Sequence, residues 1–100
     1  MINDNVVCIL RYVIQGIRPE RALSNALQDE LLESLSHATA VTLLPVVDGL
    51  SLEIELSDLA PFSRHSIEPY IAEHLIPDAV SSTFRPREPV TVKLLKAHYF

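Results

Sequence analysis

The chain has only two glycines, one cysteine, one methionine and no tryptophan among its 100 residues, and each scarcity removes a class of chemistry. A dinucleotide-binding G-x-G-x-x-G loop needs three glycines close together, and a phosphate loop needs Gly followed by Lys. Gly16 precedes Ile17 and Gly49 precedes Leu50, so neither loop is present, and the G-x-S-x-G hydrolase elbow fails equally. The lone Cys8 rules out an intrachain disulfide and every zinc site built on two or more cysteines. A reducing, cytoplasmic location is therefore expected. Asn3, Asp4 and Asn5 precede the apolar residues 6–10, and Arg11 then interrupts them, so no secretion signal is expected. The longest apolar runs, Val6 to Leu10 and Leu43 to Val47, fall far short of the ~20 residues that cross a bilayer.

Cations are also scarce: eight Lys and Arg face thirteen Asp and Glu, a net charge of −5. Binding to nucleic acid draws on clustered cations and counterion release, and an acidic chain is poorly equipped for it. The distribution is uneven, however. Residues 85–100 hold Arg85, Arg87, Lys93 and Lys96 against Glu88, net +3, whereas residues 1–84 hold four arginines against twelve acids, net −8. Either the basic segment pairs with acidic neighbours inside the fold, or it meets an acidic partner or a nucleic acid through Arg85 and Arg87.

What the chain does have is apolar periodicity, with 48% hydrophobic residues and 21% charged ones, a globular composition sized for one small α+β domain spanning residues 1–100. Val6, Ile9, Leu10, Val13, Ile14 and Ile17 follow the i, i+3, i+4, i+7 spacing of a helix over residues 4–16, capped by Asn3 or Asp4 and ended by Gly16. Leu23, Leu27, Leu31 and Leu35 predict a second helix from about Pro19 to Ser36, forming an antiparallel hairpin with the first. Beyond Ala38 the period falls to two. Thr39 to Val47 and Leu50 to Ser57, divided by Asp48-Gly49, predict a β-hairpin. A three-residue turn with Gly49 in the left-handed region would pair Val46 with Leu50 and put Pro45 on an edge strand with its nitrogen outward. Ile67, Tyr70, Ile71, His74 and Leu75 predict a third helix capped by Ser66 and ended by Pro77. Val80 to Arg85 reads as a short strand, and Val90, Val92 and Leu94 as a last one. The expected order is α-α-β-β-α-β-β, helices on an antiparallel sheet of about four strands.

Candidate chemistry is thin. His65 and Glu68 share a helix face at a spacing of three, but His74 lies on the apolar face as a core histidine, and a metal site would need His37 or His98 from elsewhere. Asp58, Ser63, His65 and Ser66 offer the residue types of a nucleophile triad, but they crowd into one loop where capping explains them better than convergent catalysis. Cys8 lies one helical turn from Arg11, a neighbour of the kind that lowers a thiol pKa, but one i, i+3 cation is a weak argument for a reactive thiol. No cofactor, metal or catalytic role is expected.

The first helix is apolar nearly all round, since Val7, Cys8 and Tyr12 fall off its main stripe. Such a helix is covered on both sides, either by the sheet and the second helix within one monomer or by a second chain against Val7, Cys8 and Tyr12, and the second chain is the expectation. The resulting expectation is a small cytoplasmic, acidic protein-interaction module, a homodimer or a subunit of a larger assembly of adaptor, chaperone or inhibitor type. The alternatives are a nucleic-acid-binding domain using the basic C-terminal segment, and a small metal-assisted enzyme centred on His65 and Glu68.

Overall fold

A computed structural model describes residues 6–18, 20–35, 38–57 and 64–100, with side chains from Cys8 and from Ser66 onward in the first and last of these stretches. The elements are β1 (Val6–Gln15), α1 (Arg21–Ser34), β2 (Ala38–Val46), β3 (Gly49–Ser57), α2 (Arg64–Tyr70), a π-helical stretch (Ile71–Leu75), α3 (Ile76–Thr83) and β4 (Thr91–Tyr99). From α2 to α3 the chain is one unbroken helical rod, so the order is β-α-β-β-α-β. The sheet order is β2-β3-β1-β4 with every neighbouring pair antiparallel. This is the split β-α-β arrangement of ferredoxin-like folds. The α+β class and the four antiparallel strands agree with expectation, but the element order does not.

The largest correction concerns residues 4–16, where the structure has a strand over Val6–Gln15 in place of a helix. This stretch is apolar on both of its alternating sides, so the helical spacing is satisfied by accident. Its strand character lies in Val6, Val7, Ile9, Tyr12, Val13 and Ile14, β-branched or aromatic residues that fit a pleated surface. With β3 on one side and β4 on the other, every backbone group of the central stretch has ladder partners to choose from. The capping residues Asn3 and Asp4 lie outside the described residues.

α1 matches its expected span to within about two residues, and Leu27, Leu31 and Leu35 are buried. The third helix does not stop at Pro77, and Val80 to Thr83, expected as a strand, continue it. Proline lacks the N–H that an α-helix would send back four residues. The π-helical stretch just before it widens the coil, and the Ile76 N–H reaches back five residues to the Ile71 carbonyl. Pro77 then stands in the first turn of α3, where proline is tolerated. Ile76, Ala79 and Val80 bury one face, and the hydroxyls of Ser82 and Thr83 donate to the Ala79 carbonyl at 3.0 and 2.7 Å, which accommodates two poor helix formers.

In the hairpin, β2 is an edge strand carrying Pro45, as expected, but the register differs. Val46 pairs with Gly49 and Pro45 with Leu50 around a two-residue turn, Val47-Asp48. Asp48, at φ 62°, takes the left-handed conformation expected of Gly49, a role aspartate fills more readily than most residues. Gly49 is needed for another reason: it pairs with both Val46 and Gln15, and a Cβ there would lie 1.7 Å from the Ile14 carbonyl oxygen. The Gly16 N–H donates to the Asp48 carbonyl at 2.9 Å, fastening the end of β1 to the hairpin tip.

Both helical rods lie on one face of the sheet. Against them pack Cys8, Leu10, Tyr12 and Ile14 of β1 and Leu50, Leu52, Ile54 and Leu56 of β3, all at most 1% exposed. The opposite face carries no helix among the described residues.

Candidate functional site

The uncovered face follows from alternation: if Leu10, Tyr12 and Ile14 point to the helices, then Ile9, Arg11, Val13 and Gln15 point away. The register sets out the rest in rows across the four strands. One row runs Leu44, Ser51, Val13, Lys93; the next Thr42, Glu53, Arg11, Lys96; the third Ala40, Glu55, Ile9, His98. A bulge between Arg11 and Tyr12 keeps this alignment in β4, and Leu95, the unpaired residue there, is 53% exposed.

Two properties mark this face. Its signs are separated, with Glu53 and Glu55 on β3, and Arg11, Lys93 and Lys96 on β1 and β4. The Arg11 guanidinium donates to Glu53 at 2.8 Å where the two halves meet, with both side chains partly exposed. This is the only ion pair among the described residues. Apolar groups also stand in it: Ile9 and Val13 on the middle strand, Leu44 at 60% exposure, and Phe100 at 65%, its ring edge-on to His98 at 4.6 Å. Ile9, Arg11, Glu53, Lys96 and His98 line a shallow hollow of about 240 Å³.

The charge asymmetry expected from sequence resolves differently from its simplest form. Pairing of the basic last strand with the acidic β3 would bring Lys93 beside Glu53 or Glu55, but β1 lies between β3 and β4, so Lys93 faces Val13 and Arg11 takes Glu53.

The expected partner surface at Val7, Cys8 and Tyr12 rested on a helix that is a strand. Cys8 and Tyr12 have no exposed area, and the Val7 side chain lies outside those described. On a strand, residues three apart point to opposite faces, so Arg11 does not stand over Cys8. Tyr12 instead anchors the helical layer: its hydroxyl donates to the Glu68 carbonyl at 3.0 Å, while the Tyr99 hydroxyl donates to the Glu68 carboxylate. Burial, with Glu68 close by, holds the Tyr12 hydroxyl well above the ordinary tyrosine pKa.

Arg85 and Arg87 are exposed in the turn between α3 and β4. Arg85 has a φ of 49° and closes the helix, its N–H donating to the Val80 carbonyl at 3.3 Å. Arg87 borders a hollow of about 340 Å³ that also holds Arg18, Glu20 and Glu88, a mixed set that cancels its own field.

The ligand-like residues are dispersed. Glu68 is turned to Tyr99 between sheet and helix. His74, expected in the core, is exposed beside Tyr70 at 5.9 Å between ring centres, because the π-helical phase buries Ile71 and Leu75 instead. His98 is on the far side of the sheet. His37, Asp58, Ser63 and the side chain of His65 lie outside what is described. Among the described residues no three His, Cys, Asp or Glu side chains gather, and no helix is long and apolar enough to cross a membrane. Sequence reasoning missed the open face because it required β1 as a strand; the signal was the β-branched content of Val6–Gln15 together with Arg11 and Gln15 on one alternating side. No known protein family matches the chain, and neither does any curated protein.

Proposed function

We propose that this protein is a small cytoplasmic protein-interaction module, a dimer or a subunit of an assembly, and that it binds through the open face of its sheet. The supporting observation is the placement of Ile9, Val13, Leu44 and Phe100 on that face beside sign-separated charges. Exposed apolar residues interspersed with charges of both signs mark a protein contact surface. Against a nucleic-acid role stand Glu53 and Glu55 near the middle of the face, where an RNA-binding sheet of this topology would carry stacking aromatics on its central strands. The topology itself carries no functional argument.

Site-specific photo-crosslinking tests the reading. A benzoylphenylalanine replaces Leu44 or Thr42 on the open face and, in separate samples, Glu33 or Asp29 on the exposed side of α1. In cells that naturally make the protein, crosslinks to a protein chain form from the open-face positions and not from α1. Equal yields from both sides, or none from the open face, overturn the proposal.

A further inference from the structure

The sheet offers a partner two kinds of surface, its edges and its open face, and the edges are guarded. On β2, Pro45 has no N–H to give to an added strand. On β4, a bulge at Leu95 interrupts the ladder, and Lys93 and Lys96 flank it, both of which deter pairing by another chain. The face has no such device.

We infer that the occupant of the open face is a second copy of this chain, packed face to face about a twofold axis that runs parallel to the strands between β1 and β3. This rests on the reading of the face as a protein contact surface and adds the partner's identity. A twofold interface must be self-complementary, each patch meeting itself in reverse. Reversal across this axis lays β3 of one copy over β1 of the other, and β2 over β4. An axis along the strands keeps each row in place, so Glu53 lies over the partner's Arg11 with Lys96 one strand farther out, Glu55 lies over the partner's Ile9, and the reverse holds at the symmetric position. The Arg11 and Glu53 pair becomes half of an alternating ring of four charges on the axis. Strands of the two sheets run nearly aligned, as sandwich packing favours.

The size of the face sets the strength. Four strands about 4.8 Å apart and about 30 Å long present roughly 570 Å² per copy, or about 1,100 Å² in the pair. That is close to the lower bound of about 1,000 Å² for a specific interface, so a dissociation constant in the micromolar range and a strong salt dependence are expected.

Light scattering and sedimentation equilibrium on the full chain test the inference. At roughly 100 μM, well above a micromolar constant, and low salt, the mass moves from 11.2 kDa toward twice that value. In about 0.5 M salt the dissociation constant weakens by about tenfold, as screening of surface charges requires. Two variants then isolate the face. Glu53→Lys with Glu55→Lys makes it basic, and Lys93→Glu with Lys96→Glu makes it acidic. Each alone is monomeric with an unchanged circular dichroism spectrum, and an equimolar mixture restores the dimer. Should either reversal unfold the chain, Glu53→Gln with Glu55→Gln replaces it, expected to weaken self-association and flatten its salt dependence. A wild-type monomer throughout, or a dimer indifferent to these substitutions, overturns the inference. A monomer whose Leu44 position still crosslinks to a different protein sinks the second copy alone and leaves the interaction module standing.

Discussion

The two faces of the sheet are built by the same strands and answer to different physics. On β3, Leu50, Leu52, Ile54 and Leu56 are at most 1% exposed beneath the helices, while the alternating Ser51, Glu53, Glu55 and Ser57 stand half-buried on the other side. The helix side is closed by dispersion and area burial, where a missing methylene is felt. The open side has half-buried Ile9 and Val13 beside the partly exposed Arg11–Glu53 pair, and such a pair contributes little to stability. Residues there are free to be chosen for a partner, so a stability scan and a binding scan of this protein should pick out opposite faces.

Leu52→Ala carries the largest expected loss, about 4 kcal/mol, since removing a fully buried leucine on a central strand leaves a cavity between the sheet and the helices. Urea unfolding measures it, and a loss below about 1 kcal/mol would mean the helix side is loosely packed. Gly49→Ala is the exception that sharpens the contrast, because it follows the open-face alternation yet its Cβ collides with the Ile14 carbonyl. A loss of about 3 kcal/mol is expected, with the backbone forced to shift. If the variant is as stable as wild type, the close approach of β1 and β3 at the hairpin is wrong.

Tyr12→Phe removes the hydroxyl that satisfies the Glu68 carbonyl and costs about 1–2 kcal/mol at neutral pH. It also changes the alkaline limb. Burial raises the Tyr12 pKa in the folded chain, so above the unfolded tyrosine value of about 10 the unfolded state loses this proton first and stability falls with rising pH. Urea midpoints between pH 9 and 11 should fall more steeply for wild type than for Tyr12→Phe; parallel curves would exclude Tyr12 as the source. Arg11→Ala has the smallest effect on folding, under about 1 kcal/mol for an exposed pair, readable as a shift of at most a few degrees in Tm. A larger loss would place the open face among the determinants of stability and erase the contrast.

How legible each part was in the sequence follows from how many constraints acted on it. The β3 strand and α1 read correctly because each has one apolar side and one polar side. β1 reads wrongly because a central strand, flanked on both sides by other strands, is apolar at most positions of both faces, which leaves its period undetermined; composition, not spacing, held the answer. The helical rod was cut short because Pro77 is a stop signal locally, and only packing of Ile76, Ala79 and Val80 against the core makes the π-helical detour worthwhile. The open face was out of reach of local patterns, since its rows join residues from four separated strands.

The position of β1 between β3 and β4 has a consequence in time. At about 5–20 residues per second, the ribosome finishes β1 several seconds before β4 emerges. Until then the side of β1 that will meet Thr91–Tyr99 has no partner from its own chain, and Val6–Gln15 is rich in the residues that pair promiscuously with other strands. The interval is set by connectivity rather than by the strength of any contact. Slowing translation between β3 and β4 should therefore lower the yield of soluble protein more than the same pause placed after β4 has been made.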